Sequence, residues 1–247
     1  MCNVFISGAT GKVGRILVEE VLEDKDLKLV GGSASKQSKD LGKDLGALIG
    51  KSNTNININI LEDISNKKDI DLIIDFSRPQ NAIQVSRFAR KENIPMLIGT
   101  TGFNEDELSE INETSKEIPL LIAANTSMGI ALFKKILDSS QEALNAASSI
   151  EIYEEHHKDK KDSPSGTAIN LKDQLKGILP NKGIDILSSR EGNSPGLHII
   201  KLFFENETLE ISHKATDRSI FAKGAIIAGK WLKNKPPGLY TMEDIYT

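Results

Sequence analysis

The chain has 247 residues, enough for one large domain or two of ordinary size, and either can bury a core without disulfide or metal staples. Its 31 Lys and Arg against 35 Asp and Glu leave a formal charge of −4, which argues against a nucleic-acid partner held by bulk electrostatics and makes any basic site a local one. A single cysteine, Cys2, excludes an internal disulfide framework and a Cys-based zinc site. No apolar run approaches the roughly 18 residues of a membrane span and no leader-like segment opens the chain, so the expected location is the cytoplasm, with no membrane partner.

The run NVFIS predicts a short strand that stops at Gly8-Ala9-Thr10-Gly11-Lys12-Val13-Gly14. Helical spacing follows through Val13, Ile16, Leu17, Val21 and Leu22, and LKLVGGSAS predicts the next strand. Together they make a βαβ unit, the start of a parallel sheet. In a G-x-x-G-x-x-G turn at this position, Gly8 allows the tight turn, Gly11 lets a pyrophosphate approach the backbone, and Gly14 permits close packing of helix on strand. An ordinary glycine turn is the bland alternative, and placement at the first turn of a βαβ unit favours dinucleotide binding.

An acid after the second strand of such a unit normally holds the ribose 2′-hydroxyl. Here the segment is SASKQSK, with Ser33, Ser35 and Lys36 as candidate contacts, Lys39 and Lys12 as further cations, and Asp40 as the first acid. Hydroxyls and cations suit a 2′-phosphate, so NADPH is favoured over NADH; the alternative is that the lysines are solvated and both cofactors serve. NTNININI alternates with period two and predicts an exposed edge strand without chemistry.

Apolar runs then recur at DLIIDFS, IPMLIGTT and IPLLIAANTS, separated by helix-like segments such as QNAIQVSRFARKEN. This is a doubly wound α/β half, whose strand ends at 76–79, 99–102 and 124–129 are candidate ligand loops. After residue 127 the texture changes. A helix is predicted over 129–147, a strand at SSIEIYEEHH, a helix over 165–176, then strands at DILSSRE, GLHIIKLFFEN and ETLEISHKA, an α+β layout on a mixed open sheet. A last helix, DRSIFAKGAIIAGKWLKN, returns to the first half. The expected division is 1–127 with 219–247 as a dinucleotide-binding domain, and 128–218 as an inserted domain for substrate and oligomerisation.

The stretch EEHHKDKKDSPSGTA carries three readings. Glu154, Glu155, His156, His157 and Asp159 offer metal ligands, but adjacent strand residues point to opposite faces, so His156 and His157 do not readily share one ion, and no metal is expected. A solvated charge run is the second reading. The third is acid–base and anion chemistry: Ser163 or Ser165 caps a helix, Pro164 suits its first turn, and the amides of Gly166 and Thr167 lie at its positive end. Lys160 would add charge and a transferable proton. Arg190, His198, His213, Lys214 and Arg218 follow in the same half; singly each reads as a surface charge or a core histidine, together they favour a polyanionic ligand.

EIYEEHHKDKKDSPSGTA resembles the E-x-x-E-x-H-H-x-x-K-x-D-x-P-S-G-T-A signature of the 4-hydroxy-tetrahydrodipicolinate (dihydrodipicolinate) reductase family of lysine biosynthesis. GATGKVG, DLIIDFSRP, IGTTGF, AANTSMG, SREG with PGLH, and ISHKA follow that family's order over essentially the whole chain. The resemblance implies reduction of a cyclic imine dicarboxylate by NAD(P)H with loss of water. It implies His156 and Lys160 as proton-transfer residues, and His157, Gly166, Thr167, His213 and Lys214 around the substrate carboxylates. Phe76, Ser77, Gly99, Thr100, Thr101, Ala123, Ala124, Asn125, Thr126 and Arg218 would join the glycine turn at the cofactor, and a homotetramer is implied. The family pattern has a larger apolar residue at Thr126, which is expected to loosen cofactor packing. Two other classes share the glycine turn: extended short-chain dehydrogenases or epimerases, whose Tyr-x-x-x-Lys pair is absent because His157 follows Tyr153 at that spacing, and non-catalytic nucleotide sensors.

Overall fold

The computed structural model describes residues 1–51, 53–60, 64, 69–158, 160–192 and 195–246. Asp159, among the metal ligands considered above, lies outside them. The chain divides into two compact units, Met1–Ser127 with Phe221–Ile245, and Met128–Ile220 with Tyr246.

In the first unit, short apolar runs become strands because both faces of a parallel sheet are covered. Among the described residues, β1 (Cys2–Ser7), β2 (Leu27–Ala34), β3 (Ile58–Ile60), β4 (Leu72–Asp75), β5 (Met96–Ile98), β6 (Pro119–Ile122) and β11 (Gly238–Tyr240) form one sheet in the order β3-β2-β1-β4-β5-β6-β11. Every pairing in it is parallel. All four residues of β4 and all three of β5 are buried. On one face Phe5, Ile73, Met96 and Leu120 pack with Ile83 and Val85 of α3 (Pro79–Glu92) and Ile111 of α4 (Glu105–Ser115). Each such side chain contributes about 1.5–3 kcal/mol of burial free energy. The chain runs outward from β1 to β2 and β3, then returns to β4 on the other side of β1, which opens a crevice beyond the carboxyl ends of β1 and β4.

The second unit is a four-stranded mixed sheet, β10-β9-β7-β8, from β7 (Ser149–His157), β8 (Ile184–Gly192), β9 (Gly196–Phe203) and β10 (Thr208–Ala215). β7 pairs parallel with β8 and antiparallel with β9. Its alternation buries Ile150 and Ile152 with Ile200 and Leu202 beneath α5 (Met128–Ser139) and α7 (Gly166–Ile178).

Several expectations are corrected. The helix predicted over 129–147 is two, α5 and α6 (Gln141–Asn145), broken at the Ser139–Ser140 pair, where the weak helix former Ser140 leaves helical geometry at φ −108°, ψ 16°. NTNININI yields a strand of only three residues, with Ile58 fully buried, because the preceding backbone turns to meet the carboxylate of Asp44, which accepts from the N–H groups of Thr54 and Ile56. Pro164 precedes the cap of α7 instead of entering its first turn: Ser165 is the N-cap, and its hydroxyl accepts from Ala168 N–H at 3.2 Å. α2 (Leu45–Leu48), capped by Asp44, and β11 had no sequence signal long enough to read. The last helix is α8 (Ser219–Leu232), within the unit that holds β11 from Phe221 onward.

Candidate active site

Two groups of residues stand out, one in each unit. In the first, β1 ends at Gly8, whose φ of +82° and the 2.2 Å from its would-be Cβ to Phe76 O admit only glycine. Its N–H and that of Ala9 donate to Ser33 O at 3.0 and 2.9 Å, tying the turn to β2. A Cβ on Gly14 would lie 2.1 Å from Gly8 O, so α1 (Lys12–Glu23) seats on the turn only through glycine. Gly11, by contrast, is exposed, and a Cβ there would meet only carbonyl oxygens at 3.3 Å and beyond. As N-cap it supplies no side-chain acceptor, so the first N–H groups of α1, at Lys12 and Val13, remain available beside Thr10.

The neighbouring strand ends are braced by Asp75, fully buried at the end of β4. It accepts from Ser77 Oγ and Thr100 Oγ1, both at 2.6 Å, while Thr100 Oγ1 accepts from Ser77 N–H at 2.8 Å. Burial pushes the Asp75 pKa up against the hydroxyls of Ser7, Ser77 and Thr100 that favour its charge. The hydroxyls of Ser77 and Thr100 are thus spent on the scaffold. Thr101 is exposed, and the ring of Phe76 lies where a Cβ on Gly99 would come within 2.3 Å. Beyond β6, Ala123 is buried, Ala124 exposed, and Asn125 Oδ1 accepts from Ser127 N–H at 2.9 Å. Thr126 is buried and donates to Phe221 O at 2.7 Å, so it anchors the start of α8 instead of leaving a gap.

Ser33 is buried inside β2, whereas Ser35 and Lys36 are exposed beyond it. With Gln37, Arg78, Gln80 and Asn81 they line a pocket of about 350 Å³. Arg78 had not been singled out by sequence; its position at the N-cap of α3, in the SRP that ends the β4 loop, was the available signal. Asp40 faces away from this role: it is buried and binds Lys43 and Arg15, each at 2.7 Å, and the Lys43 bond first, then the Arg15 charge, hold its carboxyl below the usual range.

In the second unit, the alternation that builds the core continues past Ile152 into Glu154 and His156, both buried. Glu154 is paired in register with His198 on β9 and with Ser188 on β8, two residues before Arg190. Glu154 Oε1 accepts from Arg190 at 2.8 Å and from Ser165 N–H at 3.3 Å, and Oε2 lies in close contact with His156 Nδ1. Burial alone would raise the Glu154 pKa; hydrogen bonds from Arg190 and Ser188 and the His156 charge outweigh it and hold the carboxyl below its usual range. Burial pushes His156 down more than Glu154 pulls it up. His198 is pushed down to about 4, by burial first and the nearby His156 second; its Nε2 lies 3.3 Å from Ser165 Oγ. The His156 and His198 rings meet edge to face at 5.2 Å. Gly196 makes room for them, since a Cβ there would stand 2.8 Å from His156 Nε2.

Lys160, upstream of the cap, binds both oxygens of Asp162 at 2.8 Å. Gly166 and Thr167 open α7. His213, in register with His198, shares its face, and burial lowers its pKa. His157 and Lys214 fall on the opposite face of the sheet from His156 and His213, and Arg218 is exposed between β10 and α8. The donor atoms of Glu154, His156 and His198 lie within 4.8 Å of one another, spacing that could accept a cation, yet the Arg190 guanidinium already neutralises the carboxylate. This partnership was missed by the sequence reading, although spacing i, i+2 on a strand places Glu154 and His156 on one face.

A parallel sheet of this strand order, opened by a glycine turn and joined to a mixed-sheet unit bearing an acid–base cluster, defines a nucleotide-dependent oxidoreductase of the Rossmann type. Family models described as the N-terminus and C-terminus of dihydrodipicolinate reductase match residues 2–126 and 129–246. The chain is 35% identical over 262 aligned residues to the 4-hydroxy-tetrahydrodipicolinate reductase of Buchnera aphidicola subsp. Cinara cedri, covering 98% of this chain and 96% of that one. Among solved structures it resembles a dipicolinate-bound dihydrodipicolinate reductase from Paenisporosarcina sp. TG-14, with a TM-score of 0.82, 22% identity and 99% coverage of both chains. A myo-inositol dehydrogenase from Corynebacterium glutamicum shares the fold with a TM-score of 0.63 and 13% identity, over 96% of this chain and 90% of that one. The chain belongs to the dihydrodipicolinate reductase family.

Proposed function

We propose that the protein reduces 4-hydroxy-tetrahydrodipicolinate to tetrahydrodipicolinate, with loss of water, at the expense of NAD(P)H, the reduction step of diaminopimelate and lysine biosynthesis. The observation that carries this reading is the buried Glu154–His156 pair beside the N-terminus of α7, in a chain whose other unit is built on a glycine turn. The first unit takes the dinucleotide and the second the dicarboxylate. With its pyrophosphate held at the glycine turn, a reduced nicotinamide dinucleotide would supply the hydride. The close seat of α1 on Gly8, which Gly14 requires, and the open amides of its first turn fit a pyrophosphate there.

The remaining work falls to side chains of the second unit. The Gly166 and Thr167 amides, with His213 as a further candidate on the face that carries His156, hold the substrate carboxylates, whereas His157 and Lys214 point to the other face of the sheet. Lys160, bonded to both oxygens of Asp162, donates the proton that the reaction consumes, and His156 holds or exchanges a proton at Nε2. No metal takes part: the charge that a Lewis acid would offset is met by Lys160 and helix amides. The pocket at Ser35, Lys36 and Arg78 favours NADPH over NADH. The protein works in the cytoplasm as a homotetramer, joined through the face of the four-stranded sheet that carries Tyr153, half-exposed Leu187 and Ile199. Sedimentation at micromolar concentration tests the tetramer.

The deciding experiment supplies substrate in situ from the preceding aldol-type synthase and follows loss of reduced-cofactor absorbance. Turnover that depends on the synthase product supports the reading. Nucleotide binding without turnover leaves the sensor class standing.

A further inference from the structure

Glu154 takes no proton or hydride in the reaction as just described, yet it is fully buried and serves three elements at once. On β7 it sits two residues before His156; from β8 Arg190 reaches Oε1; from the start of α7 the N–H of Ser165 reaches the same oxygen. Arg190 is fixed in turn, donating to Asp162 O and Ser189 O, both at 2.6 Å. The second oxygen faces His156 Nδ1. An ionised carboxylate can only accept hydrogen bonds, so a proton on Nδ1 makes this contact an attraction, whereas a bare Nδ1 would set two lone pairs against each other. That leaves Nε2 as the nitrogen able to take or give a proton, on the side of the ring that only glycine at 196 permits.

The cap of α7 is bound into the same group. Ser165 Oγ accepts from Ala168 N–H, so its own proton is left for His198 Nε2, a role that needs a neutral His198. The buried ring, disfavoured as a cation beside His156, meets that need. Ser165 therefore ties the first turn of α7 to His198 through its side chain and to Glu154 through its backbone.

We propose that Glu154 is the positioning residue for His156: it fixes the Nδ1–H tautomer, aims Nε2 and sustains the ring's proton affinity, while Arg190 and Ser165 act through it by holding its carboxylate ionised and still. The assignment rests on the reading of His156 as a proton-transfer group. The charges that act on His156 are Glu154 from β7, Arg190 from β8 and Lys160 from the loop before α7, and the His198 ring of β9 meets it edge to face. Of these, Glu154 is the one whose charge directly raises the proton affinity of His156, against burial, Lys160 and Arg190, which lower it.

Nitrogen-15 NMR of the unliganded wild-type protein tests the tautomer without any functional assumption. The chain has four histidines, so conservative replacement of the other three in turn assigns the rings. His156 is expected as the Nδ1–H form near neutral pH; finding it as Nε2–H overturns the proposal. In steady-state kinetics Glu154→Gln is expected to lower kcat by roughly ten- to hundredfold with little change in substrate KM, and to move the ionisation of His156 to lower pH. A kcat–pH profile that superposes on the wild type also overturns it. Glu154→Asp, which keeps the charge and withdraws it from Nδ1, should retain the fold and still lose kcat; full activity there counts against positioning. If the wild type fails to turn over the substrate, the reading of the reaction falls, and the tautomer measurement still decides the role of Glu154.

Discussion

Replacing Lys36 by alanine should cost NADPH use far more than NADH use. A charge-assisted hydrogen bond to a phosphate contributes about 1.5–3 kcal/mol, which is a tenfold to hundredfold preference per engaged cation. Lys36 and Arg78 are both exposed, so solvent screening places each near the lower bound, about tenfold. The pocket of about 350 Å³ that they line has room for a phosphate and its solvation, and Asp40 does not oppose it, because its charge is met by Arg15 and Lys43. With both cations engaged, wild-type kcat/KM should therefore favour NADPH by up to about a hundredfold, with Lys36→Ala and Arg78→Ala each removing about tenfold of that margin through KM. The measurement is the synthase-coupled assay with each cofactor at low and high ionic strength, the preference shrinking with salt. A wild type that prefers NADH would refute the reasoning, since it would mean that these cations are merely solvated.

Lys160→Ala should lower kcat by about 10²–10⁴-fold while nucleotide affinity, measured by fluorescence titration, stays intact; near-normal turnover would remove the lysine from the mechanism. Gly14→Ala places a Cβ 2.1 Å from Gly8 O, so the turn must withdraw from α1; we expect nucleotide affinity to fall by at least about tenfold, and unchanged binding would show that the turn does not hold the pyrophosphate. Extensive chelation should leave the rate unaltered, and zinc-restorable inactivation would count against a metal-free site. For stability, His198 titrates near 4 when folded against about 6.5 when unfolded, so the unfolded chain binds the extra proton in that window. Its contribution is complete above pH 6.5 and is lost as pH falls toward 4, by up to about 3 kcal/mol at about 1.4 kcal/mol per unit. Urea midpoints of the wild type should therefore fall more steeply over that range than those of His198→Asn; parallel slopes would contradict the burial argument.

The parts of the fold that sequence made legible were those with local physical signatures. Buried parallel strands read as apolar runs, α1 as spaced aliphatics after a glycine turn, and β7 as an alternation that carries straight from Ile152 to Glu154 and His156. Three-residue β11 and four-residue α2 are too short for a period to register, and Ser140 breaks a helix with no proline or glycine to announce it. At the candidate site the residue types were readable, and their partners were not. Pairing of Glu154 with Arg190 spans 36 residues and that of Ser165 with His198 spans 33, distances over which only the assembled sheet decides who meets whom. Likewise Thr100 and Thr126 look like open loop hydroxyls until Asp75 and Phe221 O are seen to occupy them.

The placement of β11 bears on the order in which the chain can be built. The strand that covers β6 is synthesised after all of residues 128–220, so a nascent chain carries the first six strands of its parallel sheet with β6 as an open edge while the inserted unit is still emerging. Lacking α8 as well, it also leaves Leu72 without Gly229, against which it packs. On the ribosome the inserted unit, contiguous in sequence but for Tyr246, is therefore positioned to fold before the unit that begins the chain, and a product that stops short of Gly238 leaves behind a sheet with a pairing edge open to its neighbours.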